Sequence, residues 1–159
     1  MTDFLNYVVI GLLTGELYAL IAMGFVVVYR ASKVFNFAQG ELVVLGGFLV
    51  WSAATQFGMH PLVAVIVALA VGIAIGWSIE RVFFSRLVGR SVFAMVMITI
   101  GLIIFLRGVM LTVWSAQDRQ FPAIFSLEPI TLGGLFLPRS LVIGAITAAV
   151  CALGLNWFF

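Results

Sequence analysis

Several polar side chains of this sequence stand inside long apolar runs, where they could bind ions or polar solutes away from bulk water. Asn36, Gln39 and Glu41 lie close together in the stretch from Arg30 to Gly47. A bilayer makes such side chains energetically costly, so their presence needs a reason. Two explanations stay open. Glu41 is a solvated carboxylate that helps to cap a helix near the membrane surface, or the three side chains line a polar path between helices.

Two further charges stand deeper in apolar runs. Glu16 lies in the first run and Arg107 in the fourth. At 1.5 Å per residue they are roughly 16 Å and 10 Å from the external ends of their helices, an offset that an arginine side chain can bridge. We predict an intramembrane ion pair between them. The open alternatives are water-facing groups on a transport path, a snorkelling Arg107 and a neutral Glu16.

The sequence offers no pattern for catalysis or for a cofactor. His60 is the single histidine and Cys151 the single cysteine, so a two-histidine metal motif and an intrachain disulfide are both excluded. The sequence also lacks a phosphate-binding Gly-rich loop with lysine and a Gly-x-Ser-x-Gly motif. We therefore predict no catalytic residue, no metal and no cofactor, and we expect that the protein is not an enzyme.

The composition places these residues in a membrane protein. Of the 159 residues, 64% are hydrophobic and only 9% are charged, with a mean hydropathy of +1.27. A soluble domain of this size carries far more charge on its surface. The net charge of +2 comes from short basic clusters between apolar runs, so no nucleic-acid partner is predicted. The N-terminus has no basic segment before its long apolar run, which favours a retained anchor over a cleaved signal.

Hydropathy predicts an all-α integral membrane protein with about five transmembrane helices, because each span needs about 20 apolar residues. The predicted spans are residues 5–29, 37–56, 62–83, 92–114 and 141–159. Asn36 is expected to cap the second helix, with Gln39 as its capping-box partner. Residues 115–140 form the predicted external loop, with two short strands around a Gly-Gly turn.

Small residues recur at intervals of four and predict faces where helices pack closely. The first span contains Gly11 and Gly15, and the third carries a longer stripe. The stripe consists of Ala64, Ala68, Gly72 and Gly76.

Basic residues predict the orientation. Five of the eight lysines and arginines follow the first and third spans, which places those two loops in the cytoplasm and the N-terminus outside. These five are Arg30, Lys33, Arg81, Arg86 and Arg90. The last span is still apolar at Phe159, so we expect the chain to be the N-terminal part of a larger polytopic membrane protein.

Two segments carry a resemblance to a known family. Residues 11–25 and 34–48 resemble the N-terminal half of the branched-chain amino acid ABC transporter permeases, and the Asn-Phe-Ala-Gln-Gly-Glu block at 36–41 is the most specific part. The segment at 130–138 is also similar to that family. Gln39 stands where the family frequently has histidine, and Glu16 where a small or uncharged residue is usual.

The resemblance implies one membrane subunit of an importer in a bacterial inner membrane. Its partners would be a second permease subunit, two cytoplasmic ATPase subunits and an external or periplasmic solute-binding protein. The cargo would be leucine, isoleucine, valine or a related amino acid, and Asn36 to Gly47 would belong to the translocation core. Urea or short-chain amide transport, sugar transport of the related ribose type and a non-transporting membrane scaffold remain alternatives.

Overall fold

The computed structural model describes residues 2–86, 89–116, 130–132 and 135–158. Within them the chain forms five α-helices and one short β-hairpin. The helices are α1 Thr2–Ser32, α2 Gln39–Trp51, α3 Pro61–Val82, α4 Val92–Trp114 and α5 Arg139–Phe158. A π-helical turn, Ser52–Gln56, continues α2, and a short 3-10 turn, Phe84–Arg86, follows α3.

Three of the described helices are long and apolar enough to cross a membrane: Phe4–Ala31, Pro61–Arg86 and Val92–Trp114. Their outward faces are themselves apolar. Tyr18, for example, is 69% exposed and Ile73 is 72% exposed. A helix that is hydrophobic on every side suits a lipid environment, because water would penalise those exposed groups.

The observed helix ends agree with the predicted spans in some places and differ in others. α4 covers the same residues as the predicted fourth span, and Ser91 caps it by accepting a hydrogen bond from the Ala94 N–H. The predicted cap at Asn36 is wrong. α2 begins at Gln39 after Ala38, without a capping bond from a side chain, so the helix starts later than sequence suggests.

The predicted strand pair in the loop is confirmed. β1 (Ile130–Leu132) pairs antiparallel with β2 (Leu135–Leu137), and Ile130 lies opposite Leu137. The glycines of the predicted turn, Gly133 and Gly134, lie outside the described residues, as does the acidic and basic part of the loop from 117 to 129.

The chain divides into two compact units. One comprises residues 1–24 and 123–159, and the other comprises residues 25–122. Within the first unit, α5 comes close to α1, because a Cβ added at Gly144 would lie 2.9 Å from Cδ2 of Leu17. Glycine is therefore the residue that permits this approach of the two helices.

The second unit contains the larger apolar core, built from α2, α3, α4 and the segment before α2. Its members are Val34, Ala38, Leu45, Trp51, Ile79, Phe84, Leu102, Leu106, Met110 and Trp114. Ala64 and Ala68 of the predicted small-residue stripe are buried. A Cβ added at Gly72 or Gly76 would meet no atom within 4 Å, as is also true of Gly11 and Gly15 in α1, so close packing at these four glycines stays a prediction.

Candidate functional site

The helical conformation is interrupted between α1 and α2. Lys33 has a φ of 56°, in the left-handed region, while its N–H still donates to the Tyr29 carbonyl at 2.8 Å. A residue in this conformation typically terminates a helix. The chain then runs through Val34 to Ala38 without regular helix until α2 begins at Gln39.

Every second residue of this interrupting segment, residues 33–38, is buried in the second unit. Val34 and Ala38 are 2% and 0% exposed, and Asn36 is 3% exposed. The Ala38 N–H donates to Oδ1 of Asn36 at 3.0 Å, and the Gln39 N–H donates to the Asn36 carbonyl at 3.3 Å. Asn36 therefore satisfies the backbone of a tight turn, in the manner of an Asx-turn.

Aromatic rings hold the interrupting segment against the end of α1. Phe35 stacks on Tyr29 with 4.5 Å between ring centroids, and Phe25 lies 6.3 Å from Phe35 and 6.4 Å from Phe37. Nζ of Lys33 lies 5.8 Å from the centre of the Tyr29 ring, within the range of a cation–π interaction. These contacts fix an irregular backbone that has few hydrogen bonds of its own.

A salt bridge joins the first turn of α2 to α4. Nη2 of Arg107 lies 2.5 Å from Oε1 of Glu41, across 66 positions of sequence. The Glu41 side chain is only 13% exposed, whereas that of Arg107 is 65% exposed. Glu41 also lies at the N-terminus of α2, where the helix dipole favours a carboxylate.

The salt bridge from Glu41 to Arg107 shows which part of α4 lies beside the start of α2. Arg107 lies 15 residues after Val92 and seven before Trp114, or about 22 Å and 10 Å along α4. The start of α2 therefore lies beside the middle part of α4, well away from either end of that helix. Non-helical backbone at such a level is tolerated where it is buried in protein or lines a water-filled cavity.

The other end of α2 contacts the end of α4. Nε1 of Trp114 donates to Oγ of the buried Ser52 at 2.5 Å, and the Trp114 ring stacks on Phe48 at 5.2 Å. The contacts Glu41–Arg107 and Ser52–Trp114 advance in the same direction along both helices, so α2 and α4 run parallel. Ser52 also opens the π-helical turn, a distortion frequent at functional sites.

The structure brings together some of the predicted residues. Asn36 and Gln39 lie in the interrupting segment and at the start of α2, next to the turn that carries Glu41. The salt bridge that the structure gives Arg107 is with Glu41 and not with the predicted partner. Glu16 belongs to the other unit and is exposed there, so its pairing with Arg107 stays a prediction.

Sequence reasoning missed the Glu41–Arg107 contact because it placed the start of the second span at the membrane surface. With that assumption, Glu41 lay too far from Arg107, and Glu16 was the better match in depth. Two charges of opposite sign in apolar spans were the available signal. In the part of the chain that the structure describes, no three His, Cys, Asp or Glu side chains are grouped as metal ligands.

The apolar outer faces and the five helices of the described residues define the class: an all-α membrane protein, with polar side chains at the start of α2. A family model described as the permease component of branched-chain amino acid transport systems matches residues 7–159. The chain belongs to this family of membrane transport proteins.

Individual relatives agree with the family. The chain is 28% identical over 167 residues to the high-affinity branched-chain amino acid transport system permease protein BraD of Pseudomonas aeruginosa, covering 98% of this chain and 54% of that protein. It is 32% identical over 131 residues to the permease protein LivH of Salmonella typhimurium and 31% identical to LivH of Escherichia coli strain K12, each covering 77% of this chain and 42% of the relative. The chain thus spans about half the length of the curated relatives it matches. No solved structure gives a significant match.

Proposed function

We propose that this chain is part of a permease subunit of an ATP-driven importer for branched-chain amino acids. The observation that carries the proposal is the interrupted start of α2, where the buried Asn36 and the Glu41–Arg107 pair lie beside the interior of α4. Transporters commonly form substrate paths from discontinuous helices of this kind. The names of the relatives supply the substrate class.

In this proposal the chain lies in the bacterial inner membrane as the N-terminal part of one transmembrane permease domain. A second permease subunit completes the membrane path, two cytoplasmic ATPase subunits hydrolyse ATP, and an external solute-binding protein delivers the substrate. The translocation path includes Asn36, Gln39 and Glu41 of the second unit. Glu16 is proposed for this path from the sequence alone. The main alternative, a urea or short-amide permease, shares this architecture.

Uptake measurements separate these substrates. Cells that carry the complete transport genes, with or without the gene for this chain, are given labelled leucine or labelled urea. We expect leucine uptake to depend on the gene and urea uptake to be indifferent to it. Urea uptake that depends on the gene, with leucine uptake unchanged, would replace the proposed substrate by the alternative.

A variant of Asn36 separates a transport path from a membrane scaffold. Asn36→Leu removes the acceptor of the Ala38 N–H and leaves only apolar side chains from residue 34 to residue 38. We expect lost leucine uptake with normal amounts of the complex in the membrane. Ser78→Ala is the matched control, because the Ser78 hydroxyl is exposed and bonds only within its own helix in the described contacts. If the amount of assembled complex falls and uptake falls only in proportion to it, the scaffold is favoured.

A further inference from the structure

The Glu41–Arg107 pair is open on one side. The described salt bridge joins one guanidinium nitrogen, Nη2, to one carboxylate oxygen, Oε1. The Arg107 side chain is 65% exposed, so the other N–H donors of its guanidinium are accessible at the surface of the second unit. A guanidinium matches a carboxylate in two-point geometry, so this face suits a carboxylate ligand.

The surface beside the pair is apolar. Ile104 and Leu111 stand one turn before and one turn after Arg107 on α4, and they are 69% and 51% exposed. Gly108, the next residue, is open as well, because an added Cβ would meet no atom within 4 Å. We name Ile104, Gly108 and Leu111 the α4 apolar surface. It offers room for an aliphatic side chain next to two opposite charges.

We propose that the Glu41–Arg107 pair recognises the zwitterion of an α-amino acid. The ligand ammonium binds the Glu41 carboxylate, the ligand carboxylate binds the Arg107 guanidinium, and the branched side chain lies on the α4 apolar surface. This inference rests on the proposed function, and it assigns the substrate charges to individual residues. The salt bridge between Glu41 and Arg107 breaks when the ligand binds and forms again after the ligand leaves.

Charge balance gives the pair its selectivity. The protein pair and the zwitterion are each neutral overall, so every charge has a partner both before and after binding. An amine without a carboxylate would occupy Glu41 and leave Arg107 unpaired, and a carboxylic acid without an amine would do the reverse. The Glu41 side chain is only 13% exposed, so leaving its carboxylate without a cation is strongly unfavourable, and a ligand without an amine is disfavoured most.

Charge variants of the complete importer test this assignment. Glu41→Gln and Arg107→Gln are compared with Glu80→Gln and Arg90→Gln, which remove one exposed charge each outside the pair. We expect each pair variant to lower leucine kcat/KM by about tenfold or more while the amount of assembled complex stays normal. We expect the two controls to match the wild type. Pair variants that keep wild-type uptake would overturn the proposal, as would loss of the second permease subunit on purification.

The exchanged pair, Glu41→Arg with Arg107→Glu, separates recognition from packing. It restores the salt bridge but reverses the positions of the two charges relative to the α4 apolar surface. We expect normal assembly and no recovery of leucine uptake, since an L-amino acid cannot satisfy both charges and the apolar surface in the reversed arrangement. Recovered uptake would show a purely structural pair and overturn the proposal.

The α4 apolar surface has its own matched test. Gly108→Val fills the space beside Arg107, whereas Gly101→Val adds the same groups at another open, exposed position of α4. We expect a raised KM for leucine only in the Gly108 variant, and equal effects of the two would contradict the placement of the side chain. If leucine uptake by wild-type cells does not depend on the gene, the proposed function itself is refuted. If it does depend on the gene but the pair variants keep wild-type uptake, only the role of the Glu41–Arg107 pair is refuted.

Discussion

Two side chains far apart in sequence fix the arrangement of α2 and α4 at each end. Glu41 and Arg107 form the contact at the start of α2, and Ser52 and Trp114 form the contact at its end. The first pair is charged and partly exposed, so solvent or a ligand can compete for it. Ser52 and Trp114 are each 8% exposed, so this neutral hydrogen bond is protected from such competition.

A double-mutant cycle tests the Ser52–Trp114 contact. Ser52→Ala removes the hydroxyl acceptor, and Trp114→Phe removes the indole donor while keeping a ring to stack on Phe48. We expect each single change to lower the free energy of unfolding, with a coupling of about 1 kcal/mol between them. Thermal unfolding of the detergent-solubilised protein measures it.

Thr112→Val is the control for this cycle, because Thr112 is exposed on α4 and its described bond goes to the Gly108 carbonyl within the same helix. Its effect should be within about 0.5 kcal/mol of zero. Strictly additive effects of the Ser52 and Trp114 changes would contradict an energetic contact between them.

At the scale of the helices, the decisive feature is the late start of α2. α1 has 31 residues and continues to Ser32, whereas α2 has 13 residues before its π-helical turn. Val34 and Ala38 of the interrupting segment belong to the same buried apolar core as residues of α2 and α4. A buried irregular segment between two helices can change conformation more easily than a continuous helix, which suits a transport path.

The close approach of α1 and α5 gives a prediction within the first unit. Gly144→Ala places a methyl group 2.9 Å from Cδ2 of Leu17, so that side chain has to shift. Alanine also favours the helix relative to glycine, so the net loss of unfolding free energy should be only about 1 kcal/mol. Thermal unfolding of the purified protein measures this loss.

Gly154→Ala is the matched control on the same helix, because its added methyl group would meet no atom within 4 Å. It should leave stability unchanged or slightly raised. Combining Gly144→Ala with Leu17→Ala removes the clash, so the double variant should lose less stability than the sum of the single changes. A simple sum would show that the two helices do not constrain each other at this point.

At the scale of the whole molecule, the distribution of basic residues predicts the orientation in the membrane. The end of the third predicted span and the loops after the first and third spans carry five of the eight lysines and arginines, and the intervening loop contains His60. Positively charged loops stay in the cytoplasm during insertion. The loop at His60 should therefore face outward and the segment at Arg86 inward.

Cysteine labelling checks this orientation. In a Cys151→Ala background, which lacks cysteine, His60→Cys should react with a membrane-impermeant maleimide on intact cells. Arg86→Cys should react only after the membrane is permeabilised. Both positions are exposed in the structure, so lack of reaction reflects sidedness and not burial. The background protein alone should give no signal, and the reverse labelling pattern would invert the predicted topology.

Much of the architecture followed from local sequence. Long, mainly apolar runs predicted the helices, and α4 begins and ends where its run does. Alternation around Gly-Gly predicted the pair β1 and β2, because the signals for a short hairpin lie within a few residues. The start of α2 was missed, since Asn36 has the side chain of a helix cap but uses it to form a buried turn.

By itself, the sequence determined the class of the protein. Hydropathy gave a membrane protein because the cost of exposing apolar residues to water depends on composition, and the block at 36–41 pointed to its family. Only the tertiary structure decided that Arg107 meets Glu41 and that α2 begins beside the interior of α4. Such contacts depend on the register between helices distant in sequence. Hydropathy cannot supply that register, because apolar packing surfaces resemble one another along their length.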